Sequence, residues 1–350
     1  MLQKNLKIGL ALAGGGGKGA YQIGVWQALR ECSLDQMVDA VAGTSVGGLN
    51  AALFVQGDFE KAAYIWEHIK PEQILSKQEG SLLQQALAGI YDGIAGYAGA
   101  FFSRDGLEQI IGQYLDLDLF TQARLDCYLT GCRVKTDLLY HLKETEFGGD
   151  TADSLSFSPY IFPKAEYFKM RDETRETRRR ILLATSAIPV VFQDVKIRGN
   201  YYLDGGLVDN VPVTPLFEQA GCDVVVAVLL GGGSTYQRLV PQGKRCLEIR
   251  PTQEQGGMIT GTLDFHAKHA KRRIEQGYAD AMPVFSKIRE DIDREKRLGN
   301  VIRSEQQEEM RHQKEAFYLK QGIASQMYEI ERLKEKDSRR RQLWDGRNLS

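Results

Sequence analysis

The stretch Gly43-Thr44-Ser45-Val46-Gly47 sets a serine with glycine two residues away on either side, between the apolar runs VDAVA and AALFVQ. Where a strand turns sharply into a helix, glycines at those positions avoid collision with neighbouring backbone. The serine hydroxyl then stands at the mouth of a sheet, beside free N–H groups and the positive end of a helix dipole. A serine so placed can attack an acyl carbon, provided a base takes its proton. A plainer reading makes Ser45 a helix N-cap, a position serine favours. The chain has five histidines and none lies within twenty residues of Ser45, so the base must come from elsewhere in the sequence.

Two kinds of base are open. In the order Ser–Asp–His of an α/β-hydrolase triad, Ser45 is followed by Asp204 or Asp223 and then by His266 or His269. In a dyad a carboxylate acts alone. Near its ordinary pKa of about 4 it is a feeble base, so burial must raise it and an oxyanion site must carry more of the stabilisation. Asp204 lies in NYYLDGGLVDNVPV, after an aromatic-rich strand and before Gly205 and Gly206, where other backbone can approach its carboxylate. The competing reading there is the Asp-Gly turn of a hairpin. His266 and His269 are three apart in the helical segment DFHAKHAKRRIEQGYADAM. With no third ligand evident, they read as a basic solvated face with Lys268, Lys271, Arg272 and Arg273, and no metal is expected.

A second glycine cluster, AGGGGKGAYQIG (13–24), separates an apolar run from a helical one. Gly14 through Gly17, Lys18 and Gly19 leave backbone N–H groups unobstructed beside a helix N-terminus, which suits a phosphate or the oxyanion of acyl transfer. Gly14-x-Gly16-x-x-Gly19 also matches the dinucleotide-binding fingerprint, whose acidic partner would be Asp35 or Asp39. Asp39 falls inside the next strand rather than at its carboxyl end, which is the wrong end for a ribose. The phosphate-loop reading is weaker, because Lys18 is followed by glycine and not by Ser or Thr.

The elements that must position these residues follow from periodicity. Residues 7–12 read as a strand, 20–32 as a helix, 38–43 as a strand and 46–57 as a helix beginning at the serine, a right-handed parallel βαβ unit. Further strands are expected at 128–134, 222–230 and 245–251, the second a near-continuous apolar run fit for a central position. The pattern predicts an α/β domain over residues 1–285, with the small and aromatic segment 82–102 forming a lid or loop within 80–105. Residues 286–350 differ: dense in Glu, Lys, Arg and Gln, they predict one or two long charged helices as a C-terminal extension, with a thin apolar thread that allows self-association.

At 350 residues, 43% hydrophobic and 26% charged, with a formal net charge of −1, the composition is that of a globular protein with no electrostatic bias toward nucleic acid. The five scattered cysteines read as packed thiols of a reducing compartment. No apolar run reaches the length of a membrane span, and IGLALA is too short for a signal core, so a cytoplasmic protein peripheral to membrane is expected.

GGGGKG at 14–19, GTSVG at 43–47 and DGG at 204–206, in that order, resemble the three signatures of patatin-like phospholipases: Gly-Gly-Gly-x-Arg/Lys-Gly, Gly-x-Ser-x-Gly and Asp-Gly-Gly/Ala. The resemblance covers roughly residues 7–230, including ATSAIPVVF ahead of the third signature. It implies an α/β three-layer sandwich with a mostly parallel central sheet, and a Ser–Asp dyad hydrolase acting on acyl esters of lipids. On that basis Ser45 is the nucleophile and Asp204 the proton acceptor, with N–H groups around Gly15, Gly16 and Gly17 as the oxyanion hole. Gly14, Lys18, Gly19, Gly43, Gly47, Gly205 and Gly206 complete the motifs. No cofactor is implied; the partners are a lipid or phospholipid substrate and, transiently, a membrane surface. Beside it stand the triad esterase, a non-enzymatic lipid- or partner-binding module and a nucleotide-cofactor oxidoreductase.

Overall fold

A computed structural model of the chain describes residues 6–74, 76–77, 102–134, 164–188, 191–231 and 239–345. In chain order the strands are β1 (Ile8–Leu12), β2 (Val38–Thr44), β3 (Ser76–Lys77), β4 (Phe102–Ser103), β5 (Asp126–Val134), β6 (Lys164–Lys169), β7 (Val195–Ile197), β8 (Asn200–Asp204), β9 (Val224–Val228) and β10 (Arg245–Ile249). β3 and β4 form a separate antiparallel pair. The other eight make one sheet in the order β10-β9-β1-β2-β5-β8-β7, with β6 also paired to β5.

β1, β2, β9 and β10 run parallel to one another, and β5 continues them beside β2. The β-branched run VVVAV of β9 and the short apolar IGLAL of β1 are buried on both faces, as strands covered by helices must be. α1 (Ala20–Glu31) follows β1 and α2 (Val46–Gln56) follows β2, which gives the expected βαβ unit. The parallel strands begin at two aspartates. Lys7 N–H donates to Asp223 at 3.0 Å and Ile8 N–H donates to Asp39 at 2.8 Å. Both carboxylates are thereby committed at the amino end of the sheet. Asp223 is a strand's length from Ser45, which removes it from the triad, and Asp39 braces β1, which removes it as a ribose ligand.

β5 organises the remaining strands. β6 lies antiparallel along one edge, opposite Tyr128 to Arg133. The other edge is shared: β2 covers Asp126 to Thr130 and β8 covers Gly131 to Val134, running the opposite way. β7 and β8 are joined by the two-residue turn Arg198-Gly199, both at positive φ, as a tight hairpin of native twist requires. The hairpin turn therefore falls there, and Asp204-Gly205-Gly206 is the end of a strand entering a 3₁₀ turn.

The chain separates into two compact units, Met1–Lys287 and Ile288–Ser350. The sequence suggests a helix near 264–282 and one or two more beyond 286; the structure instead has one helix, Ala267–Asp345, with Pro283 inside it. A proline removes one intrahelical hydrogen bond, and the surrounding Glu, Lys, Arg, Gln and Ala propagate helix well enough to continue past it. From Val301 to Lys336 every side chain is exposed, including Ile323, Met327 and Ile330. Cys32, Cys127, Cys132 and Cys222 are buried free thiols. Of the 80–105 lid region, residues 80–101 lie outside the described residues, as does His141. No helix among the described residues is long and apolar enough to cross a membrane.

Candidate active site

Thr44, the last residue of β2, pairs with Thr130, and Asp204, the last of β8, pairs with Gly131. Two strands approaching along one edge of β5 from opposite directions thus bring their carboxyl ends together. That register closes a separation of 159 residues: Ser45 Oγ donates to Asp204 Oδ2 at 2.7 Å. Ser45 occupies the N-cap position of α2, but its side chain makes no capping bond to the helix and is directed to Asp204 instead.

Ser45 is held at φ 56°, ψ −128°, a conformation that costs an ordinary residue on the order of 1–3 kcal/mol. The surroundings hold it there. Its N–H donates to Thr185 Oγ1 at 3.0 Å. The turn is so tight that a Cβ on Gly47 would lie 2.2 Å from the carbonyl oxygen of Leu12, which explains the glycine after the serine.

Asp204 is only 5% exposed. Its Oδ1 accepts the Gly206 N–H at 2.7 Å, and its own N–H donates to the Ala187 carbonyl at 2.9 Å. Burial pushes its pKa from 3.8 up to about 6, against the opposing pull of the bonds from Ser45 and Gly206. A carboxylate so raised is a far better proton acceptor at neutral pH than a solvated one.

The glycine loop lies alongside. Four of its carbonyls are held by side chains: Ala13 by Gln22 Nε2 at 2.8 Å, Gly14 by Asn210 Nδ2 at 3.3 Å, Gly17 by Arg273 Nη1 at 3.2 Å and Gly19 by Asn50 Nδ2 at 3.0 Å. Gly16 to Gly19 form a 3₁₀ turn leading into α1, and the first N–H groups of such a turn have no internal acceptor. Ser45, Asp204 and Gly14 to Gly16 open on a cleft of about 320 Å³, whose wall includes Leu207 and Met258. Lys18, half-buried beside it, is held below the ordinary lysine pKa by burial and by the charge of Arg273.

The imidazoles are elsewhere. His266 Nδ1 and His269 Nδ1 lie 2.8 and 2.7 Å from the two carboxylate oxygens of Asp264. Asp264 is a third potential metal ligand that the sequence reading did not find, two residues before His266. Its Oδ2 also accepts Arg273 Nη2 at 2.9 Å, so a fixed cation already stands where a metal ion would need room.

A family model described as Patatin-like phospholipase matches residues 10–217, more than half of the chain. The chain belongs to the patatin-like phospholipase family. Among curated relatives, Lysophospholipase nte1 of Aspergillus terreus is 27% identical over 224 residues, which is 64% of this chain but 12% of that protein. Patatin-like phospholipase domain-containing protein 7 of Mus musculus is 39% identical over 66 residues, 19% of this chain and 4% of that one. The patatin-like chain therefore spans a small part of the length of these relatives. Of solved structures, human GIVD cytosolic phospholipase A2 aligns over 81% of this chain and 59% of its own at 9% identity with a TM-score of 0.48, and VipD from Legionella pneumophila over 81% and 67% at 14% and 0.45. The matched region contains all three signatures of this patatin-like chain. It stops short of Met258, Thr262, Asp264 and Arg273, which build the far side of the same cleft or brace it. Thr185 and Asn210 were also missed from sequence: each acts on backbone brought from more than a hundred residues away, and no local pattern announces that.

Proposed function

We propose that this chain hydrolyses carboxylic esters of lipids, phospholipid or lysophospholipid, through a Ser45–Asp204 dyad. The observation that carries the proposal is the 2.7 Å hydrogen bond from Ser45 Oγ to a carboxylate that burial has made basic, at the floor of a cleft walled by the glycine loop. As Ser45 Oγ attacks the ester carbonyl, Asp204 Oδ2 takes its proton. The N–H groups of Gly15, Gly16 and Gly17 receive the oxygen of the tetrahedral intermediate, and collapse expels the alcohol or lysolipid with the proton from Asp204. Water, deprotonated by the same carboxylate, then releases the acyl group from Ser45. The dyad is favoured over the triad because the hydroxyl is already bonded to Asp204, while His266 and His269 are engaged by Asp264.

The lip of the cleft supports a lipid aggregate as the form in which substrate is met. Leu207 and Met258 line it and are 52% and 41% exposed, so two large apolar side chains stand in water beside the cleft, where a lipid surface would cover them. The deciding experiment is mass spectrometry after reaction with a fluorophosphonate, together with a panel of phospholipids and lysophospholipids. The adduct is expected on Ser45, and Asp204→Asn is expected to abolish turnover while His266→Ala with His269→Ala retains most of it. Full activity in Asp204→Asn, or an adduct elsewhere, refutes the dyad.

A further inference from the structure

We infer that Arg273, outside the part of the chain that matches the family, is a positioning residue for the oxyanion loop, with Asp264 as its counterion. The inference rests on the acyl-hydrolase reading above. Arg273 is 2% exposed, and its guanidinium donates to five acceptors. Nη1 reaches the carbonyl of Gly17 at 3.2 Å and that of Asp264 at 2.9 Å. Nη2 reaches the carbonyls of Gln255 at 3.5 Å and Thr260 at 3.1 Å, and the Asp264 carboxylate at 2.9 Å. One planar fork therefore ties the glycine loop to the 255–264 segment, a task for which lysine, with a single ammonium, has too few directed donors.

The segment it gathers is the wall against which the loop rests. A Cβ on Gly16 would fall 2.0 Å from the Thr262 carbonyl oxygen, and one on Gly17 2.0 Å from that of Asp264, so the two backbones touch with no side chain between them. The start of the long helix is fixed to α1 in the same manner. A Cβ on Gly24 would lie 1.9 Å from the Ile274 oxygen, one on Gly277 2.0 Å from the Tyr21 oxygen, and Tyr21 donates to Asp280 at 3.1 Å. Arg273 thus stands on a rigid support. By binding the Gly17 carbonyl it fixes the residue from which one of the proposed oxyanion N–H groups projects. An oxyanion site works because its donors are in place before charge develops, and a displacement near 1 Å can cost about a hundredfold in rate.

The burial of so large a cation needs an anion, and Asp264 supplies it; His266 and His269 on the same carboxylate and Lys18 across the loop complete the charged groups facing the guanidinium. Burial raises the Asp264 pKa, but the bonds from both histidines and the charge of Arg273 outweigh it and hold the carboxyl below the ordinary range.

The test uses the full chain and three variants, Arg273→Gln, Arg273→Lys and, as a control on the exposed neighbour, Arg272→Gln. A fluorophosphonate serves two measurements: the amount of Ser45 labelled at completion counts competent sites, and the rate constant of labelling reports how well the phosphonyl oxygen is received. Arg273→Gln is expected to label to completion but about ten- to a hundredfold more slowly, with kcat for a short-chain nitrophenyl ester falling by the same factor and KM within about twofold. Arg273→Lys should fall between it and the parent, the acid limb of the pH profile should not move in either, and Arg272→Gln should match the parent. If the labelled amount falls in proportion to activity while the rate constant holds, in Arg273→Gln or in the better-folded Arg273→Lys, the residue merely maintains the fold and the inference is overturned. A shifted acid limb overturns it too, because Arg273 would then be acting on Asp204. Failure of the parent to label on Ser45 sinks the dyad instead, an outcome distinct from both.

Discussion

Replacing Asp204 by Asn removes the proposed base and the buried charge together, and the two losses have opposite consequences. Under the proposed dyad, turnover should disappear with the proton acceptor. Stability rises, because ionised Asp204 burdens the folded state: its pKa climbs from 3.8 to about 6 on folding, roughly two units, and at about 1.36 kcal/mol per unit the burden is about 3 kcal/mol. The folded-state pKa is the raised one, so the group's stabilising contribution is fully present below pH 3.8 and is lost as pH rises through 6. An amide has no such dependence. The stability of Asp204→Asn relative to the parent should therefore grow from pH 4 to pH 6 and level off by pH 8, about 2.5 kcal/mol above its value at pH 4. Urea unfolding of both chains at several pH values measures this, and taking the change with pH cancels any fixed difference in hydrogen bonding between Asn and Asp. A difference that does not vary with pH, or that shrinks as pH rises, refutes both the burial argument and the claim that this carboxylate is a tuned base.

Other outcomes follow from the same geometry. In the parent, kcat/KM should fall tenfold per pH unit below about pH 6, where Asp204 takes up a proton, and a limb near pH 4 would show the carboxylate to be solvated. Gly47→Ala must push a Cβ against the Leu12 carbonyl and should cost at least about 3 kcal/mol, whereas Gly112→Ala, in the helix Asp105–Tyr114 with open space around it, should stabilise by about 0.5–1 kcal/mol; thermal melts of the pair check the contrast. Leu207→Gln with Met258→Gln should raise KM for phospholipid vesicles several-fold more than KM for a soluble short-chain ester, and equal effects on the two would show that the lip does not meet lipid.

Much of the candidate site could be read from the chain because its signals are local. A glycine two residues either side of Ser45 is demanded by a turn only a few residues long, and of the four glycines ahead of α1, Gly16 and Gly17 are demanded by backbone contact with Thr262 and Asp264. The parallel strands were equally legible, since burial on both faces leaves runs such as VVVAV unbroken by polar residues. What could not be read was set by distant partners. Nothing in NYYLD states that it pairs with the second half of β5, nor does Arg273, sitting in a run of Lys and Arg that resembles a solvated helix face, reveal that it alone turns inward. The partner of His266 and His269 was missed in the same way: Asp264 opens the segment read as helical, but the helix starts at Ala267, and the turn before it is what lets one carboxylate reach both rings.

There is a physical reason for the proposed base to belong to a strand and not to a loop. Asp204 must be buried to be basic, and a buried carboxylate tends to move toward water or to draw a proton unless its backbone is fixed. β8 supplies that fixity through register. A slip of one residue would turn Asp204 to the opposite face of the sheet, away from Ser45. Against such a slip, the two-residue Arg198-Gly199 turn fixes β8 to β7. Tyr202, two positions before Asp204 and on the same face, packs its ring 5.2 Å from Phe168 of β6 and donates its hydroxyl to Glu166 at 2.9 Å. Fixing the aspartate therefore takes strands on both edges of β5. Ser45, with its strained φ, is fixed by the strand that shares one of those edges, so Ser45 and Asp204 are both positioned by a single central strand that carries neither of them.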